Sequence, residues 1–129
     1  MNLAMNCIGL LALLCMVLGL RVSMLRRASS VSIGCSSDPT DPLHKFVRAH
    51  CNACEYAPIL AILIFALASG GATGITRWLF VLAVVFRYMH AVGMIVCQSL
   101  EQAHPLRFIG ALGTYVVGIL LAIGAIFQQ

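Results

Sequence analysis

The chain has 129 residues, of which 61% are hydrophobic and 9% charged, and its mean hydropathy is +1.00. Soluble domains are roughly a quarter charged, so this composition excludes a water-exposed globule and points to one bilayer-embedded domain over residues 1–129. The net charge of +4 bears on topology, because no basic face interleaved with aromatics gives it a nucleic-acid footprint.

The first predicted span covers residues 3–21, long enough to cross roughly 30 Å of hydrocarbon at about 1.5 Å per residue. Arg21, Arg26 and Arg27 follow the apolar run instead of preceding it, the reverse of a cleavable signal peptide. Ser29 to Pro42 is Ser-, Pro- and Asp-rich and predicts the longest loop. A second span over 44–68 begins just after Asp41 and Pro42, with Lys45 and Arg48 at its mouth. Pro58 inside it removes one helix hydrogen bond, a loss that neighbouring helices tolerate in a membrane. Ser69 to Gly74 reads as a short turn.

The third span, 76–99, is interrupted by Arg87 and His90, and Glu101 to His104 form a second tight connection. Pro105 opens the fourth span, 105–127, at a position where its missing N–H is harmless. Gly110, Gly113, Gly118 and Gly124 give that span small residues that let backbones approach closely in lipid. The expected fold class is therefore an all-α membrane protein, a four-helix transmembrane bundle.

Basic residues orient the bundle. Arg21, Arg26, Arg27, Lys45 and Arg48 flank the first loop, against Arg77 alone at the second turn. The positive-inside rule then places loops 22–43 and 100–104 in the cytoplasm and both termini on the other side. Of the six cysteines (Cys7, Cys15, Cys35, Cys51, Cys54, Cys97) most lie in apolar runs, where cysteine packs as a small hydrophobe. Cys51 and Cys54 spell CxxC without the surrounding pattern of a redox motif. No metal site is expected, since neither HExxH nor a Cys/His cluster is present.

Charges at bilayer depth cost about 2.5–3.5 kcal/mol each on insertion scales, so they pair or serve function. Arg48, Asn52 and Glu55 fall at i, i+4 and i+7 and share one helix face. Arg87, His90 and Met94 do the same on the third span. Counting from the cytoplasmic mouth, Glu55 lies roughly 15 Å deep and Arg87 roughly 18 Å. The matched depths predict that Glu55 pairs with Arg87, His90 or both. Such a pair also serves as a plain stitch, and a buried ion pair is weak evidence for stability. The charge inventory favours a ligand: Arg48, Arg87 and Arg107 outnumber Glu55 on that side, and guanidinium forks bind carboxylates. His50 points away from the Arg48 stripe, and His44 and His104 sit at helix mouths.

The run Arg48-Ala-His-Cys-Asn52-Ala-Cys-Glu55-Tyr56-Ala-Pro58, together with Arg87-Tyr-Met-His90 and His104-Pro105-Leu106-Arg107, resembles the helix motifs of the MAPEG family (membrane-associated proteins in eicosanoid and glutathione metabolism). The resemblance covers essentially the whole chain and runs to the small bacterial inner-membrane members. It implies a homotrimer with glutathione as co-substrate between subunits near the cytoplasmic side. Arg48, Asn52, Glu55 and Tyr56 would contact the tripeptide, Arg87 and His90 would line the site, and Arg107 would favour the thiolate as the catalytic residue. The implied activity is glutathione transferase-type conjugation, or peroxidase chemistry, on an apolar electrophile partitioned into membrane lipid. Met94, Phe108 and Cys51 replace a tyrosine, a serine and an arginine of particular members, so leukotriene or prostaglandin synthesis is not implied. The alternatives are a scaffold binding glutathione or another small anion without turnover and, ranked lower, a small transporter or membrane-assembly partner.

Overall fold

The computed structural model describes residues 1–72 and 74–127; Thr73, inside the expected second turn, lies outside the described residues. Four helices follow one another: α1 Asn2–Ala28, α2 Pro42–Ser69, α3 Ile75–Val96 and α4 Pro105–Ile126. All four are long and apolar enough to cross a membrane, and among the described residues there is no strand. The protein is an all-α, multi-pass membrane protein built as a four-helix bundle.

Local chemistry sets most of the helix ends. Asp41 caps α2, its carboxylate accepting from the backbone N–H of Leu43 (3.3 Å) and His44 (3.2 Å), and Pro42 follows in the first turn. Pro105 opens α4 in the same way. Gly71 and Gly74 turn the chain between α2 and α3 with φ of 86° and 50°, where a Cβ would clash with the backbone. α2 continues unbroken through Pro58.

Two boundaries differ from the sequence reading. α1 runs past Arg21 to Ala28, because arginines mark where the membrane ends without breaking helix hydrogen bonds, and Arg26 and Arg27 suit the negative end of the helix dipole. Ser30, at φ 54°, turns the chain out. α3 stops at Val96, before the expected Ser99, and Cys97 is extended. Lys45 of α2 reaches this end and donates from Nζ to the carbonyls of Cys97 (2.7 Å) and Gln98 (2.9 Å).

That contact, with the Leu100 N–H donating to the Pro39 carbonyl (3.0 Å), gathers the first and third connections at one end. The start of α1 meets the end of α2 and the start of α3 at the other, around a cavity lined by Met1, Ala68, Gly71 and Arg77. α2 and α3 form the central pair: both touch α1 and α4, while among the described residues α1 and α4 do not touch each other. Leu11, Ile64, Phe80 and Leu121 fill the middle. The α3–α4 crossing is close enough that a Cβ on Gly110 would stand 2.5 Å from the His90 backbone nitrogen, and one on Gly93 would stand 2.4 Å from that of Arg107. These glycines fix the heights of His90 and Arg107 relative to each other.

Candidate functional site

Arg87 is the largest side chain fully enclosed by the bundle, with 1% of its surface exposed. The central position of α3 puts it there, and α2 supplies the acceptors. Its Nη2 donates to the side-chain Oδ1 (2.6 Å) and the backbone carbonyl (3.2 Å) of Asn52. The guanidinium carbon lies 5.0 Å over the ring of Tyr56, and Nε is buried without a partner. Of the two polar stripes, Asn52 on α2 and Arg87 on α3 thus meet.

The expected ion pair does not form: Arg87 donates its hydrogen bonds to neutral Asn52, and Glu55 is exposed on the outside of α2. Matched depth fixed the height of the two groups but not their direction. Three residues turn the helix by roughly 300°, which is enough to carry Glu55 past the face on which Asn52 meets α3. Arg48 is exposed on the same outer surface.

His90, 8% exposed, turns toward α4 and donates from Nδ1 to the backbone carbonyl of Arg107 (2.9 Å). A neutral ring protonated there keeps the lone pair on Nε2. The Arg107 guanidinium holds the third connection, Nη1 donating to the Leu100 carbonyl (2.8 Å) and Nη2 to that of Gln102 (3.0 Å). Asn52, Tyr56 and Arg87 therefore form one cluster and His90 with Arg107 a second, while Arg48 and Glu55 stand outside both.

Two features were not read from the sequence. The hydroxyls of Tyr56 and Tyr115 on α4 share a hydrogen bond (3.1 Å), and the rings meet edge to face with centroids 5.7 Å apart. A tyrosine in mid-span, away from the interfaces that tyrosine favours, was the available signal. Secondly, the outward positions of α2 include Arg48, Cys51, Glu55, Pro58, Ile62, Phe65 and Ser69, which alternate in steps of three and four. Cys54 and His50 lie apart from the Arg87 cluster, toward α1: Cys54 Sγ is 3.4 Å from His50 Nε2, and a Cβ on Gly19 would lie 3.0 Å from that nitrogen. All six cysteines are free, and among the described residues no group of three His, Cys, Asp or Glu gathers to hold a metal ion.

Compared with known families, the sequence matches the model of the MAPEG family over residues 5–127, nearly its whole length. No curated protein matches it.

Proposed function

Because the chain belongs to the MAPEG family, whose members are membrane proteins of glutathione and eicosanoid metabolism, we propose that it binds glutathione in the bilayer and conjugates it to an apolar electrophile dissolved there. Peroxidase chemistry with the same thiol is the variant of that reading. The observation that carries it is charge without a counter-charge. Arg48 and Glu55 face outward on a membrane-spanning helix, and behind them Arg87 is a buried cation with neutral partners. A charge left in lipid costs at least about 2.5 kcal/mol, so this face calls for both a cover and an anion.

A homotrimer supplies the cover. The alternating three- and four-residue steps along the outward face of α2 are those of a helix seam, so copies of α2 meeting around an axis bury the stripe. Glutathione supplies the anion. Its carboxylates suit the guanidinium of Arg48 and the positive field of Arg87 enclosed behind it, and its ammonium suits Glu55. Asn52, Tyr56 and the Nε2 of His90 provide hydrogen bonds to its amide backbone. Arg107 uses two of its N–H groups on the loop carbonyls, and the rest of the fork remains for the sulfur. A thiolate held there is the nucleophile that bonds to the electrophilic carbon as that carbon's bond to its leaving group, or the double bond it belongs to, breaks. The reading places the first and third connections in the cytoplasm of a bacterial inner membrane, with glutathione entering from that end.

Binding without turnover is the second reading, favoured by the engagement of Arg107 with Leu100 and Gln102. Stopped-flow ultraviolet absorbance of the thiolate, run beside a binding titration, tests both. Conjugation predicts a thiolate band on mixing with glutathione that Arg107→Ala removes while binding persists. Binding with no thiolate in the native protein selects the second reading, and absence of binding rejects both.

A further inference from the structure

Between α1 and α2 lie two thiols and an imidazole that take no part in binding glutathione. Two contacts set the register of this helix pair. A Cβ on Gly19 would lie 3.0 Å from His50 Nε2, and the Arg21 guanidinium carbon lies 5.7 Å from the Phe46 ring centroid. The start of α1 meets the end of α2, so the pair runs antiparallel. Four residues back from Gly19 on α1 is Cys15, and four residues on from His50 on α2 is Cys54. Four residues make about one turn on each helix, so Cys15 and Cys54 face each other on the next rung. The two thiols interact there, and Cys54 Sγ is also 3.4 Å from His50 Nε2.

The two sulfurs differ in access. Cys54 is exposed and Cys15 is buried. A reactive cysteine is accessible and has a neighbour that takes up the thiol proton, and Cys54 has both. Cys15 has no such access, but it stands where an oxidised sulfur on its own rung comes within reach of attack. Cys54 lies nine residues beyond Lys45, about 14 Å along the helix at about 1.5 Å per residue. That depth is inside a hydrocarbon core about 30 Å thick, so a reagent arriving from the bilayer is an apolar one.

We propose that Cys54 and Cys15 form a redox-active dithiol that reduces an alkyl hydroperoxide dissolved in the bilayer and closes to a disulfide between α1 and α2. The Cys54 sulfur attacks the terminal oxygen of the hydroperoxide. Its proton passes to His50 Nε2, in the tautomer that leaves that nitrogen unprotonated. The O–O bond breaks, the alkoxide takes the proton from His50 and leaves as the alcohol, and Cys54 is left as the sulfenic acid. The Cys15 thiol then attacks the sulfenic sulfur, forming the disulfide and releasing its proton with the hydroxide as water. Two thiols lose two electrons and two protons, and the hydroperoxide becomes one alcohol and one water. The reaction needs no glutathione, so it stands or fails apart from the function proposed above.

The test uses the reduced, purified full chain in lipid nanodiscs without glutathione, with cumene hydroperoxide as the probe. Intact mass, peptide mapping and the yield of cumyl alcohol are followed in time. The native protein is expected to lose two hydrogen masses per chain, to yield one alcohol per chain, and to map with Cys15 joined to Cys54. Cys15→Ser stops at a Cys54 sulfenic acid that dimedone traps. Cys54→Ser leaves Cys15 reduced. His50→Gln slows oxidation of Cys54 about a hundredfold, while circular dichroism shows the same helix content as the native protein. Native Cys15 and Cys54 that both stay reduced overturn the proposal. So does a disulfide that joins Cys54 to Cys51 instead, or an unchanged rate in His50→Gln. A separate glutathione titration of the native protein decides the other function, so either can fail alone.

Discussion

Replacing Gly110 by alanine tests whether the α3–α4 crossing sets the geometry of the site. The added Cβ would stand 2.5 Å from the His90 nitrogen, 2.7 Å from its Cα and 2.8 Å from the Phe86 carbonyl oxygen. All three are backbone atoms, so no side chain can rotate away and the helices must part by about 1 Å to regain ordinary contact. Overpacking of this kind costs about 1–3 kcal/mol, and alanine in place of glycine returns at most about 1 kcal/mol of helix propensity. The net expectation is destabilisation by about 1–2 kcal/mol, and the same parting stretches the 2.9 Å bond from His90 Nδ1 to the Arg107 carbonyl. Gly118→Ala is the matched control. Its Cβ meets Leu60 Cδ2 at 3.7 Å, an ordinary contact, so the propensity gain is free to stabilise. Thermal unfolding in detergent, followed by circular dichroism, should separate the two variants in opposite directions from the native protein. If Gly110→Ala unfolds no earlier than Gly118→Ala, the close crossing is not what positions His90 and Arg107.

The Arg87–Asn52 contact predicts an asymmetry. Asn52→Leu leaves the buried cation only the residue-52 backbone carbonyl and the Tyr56 ring and should cost about 1.5–3 kcal/mol, whereas Arg87→Met removes the charge together with its bonds and should cost less; urea or heat unfolding in detergent gives the order. Lys45→Met removes the donor to the Cys97 and Gln98 carbonyls. It should raise hydrogen exchange in residues 97–104 with little change at the centre of α3. Asp41→Ala, by removing the cap of α2, should cost about 1 kcal/mol and free the first amides of that helix to exchange. In the first loop, the Thr40 N–H (2.8 Å) and then its hydroxyl (2.7 Å) hydrogen-bond to Asp38 and hold its carboxyl below the usual range. A depressed value means that the loop contact is complete above the ordinary carboxylate pKa of about 3.9 and is lost as pH falls through the lowered one. The Thr40 amide chemical shift should titrate in that acidic window, and Asp38→Asn should abolish the titration.

What the sequence disclosed, it disclosed through local signals. Asp41–Pro42 and Pro105 mark helix starts because capping and proline geometry act within one turn, and four apolar runs require four helices whatever surrounds them. The end of α1 was hidden because Arg21 signals the edge of lipid, and a helix need not stop there. Counting residues along α2 and α3 set Glu55 opposite Arg87 where Asn52 stands, because rotation about each axis is set by packing. For that reason Glu55 faces out and His90 faces α4. The role of the Arg107 side chain was invisible for a related cause, since its acceptors, the carbonyls of Leu100 and Gln102, become available only when the third connection folds back. Tyr115 sits in an unbroken apolar run, and only the partner across the bundle gives it meaning.

The central claim, that an anionic tripeptide answers the uncovered charge on α2 and α3, is tested most directly by calorimetric titration of the detergent-purified protein with glutathione. The account predicts saturable heat in the native protein that Arg48→Ala and Arg87→Met each reduce at least tenfold in affinity. Absence of heat at millimolar glutathione, with a folded oligomer verified by light scattering, would contradict it.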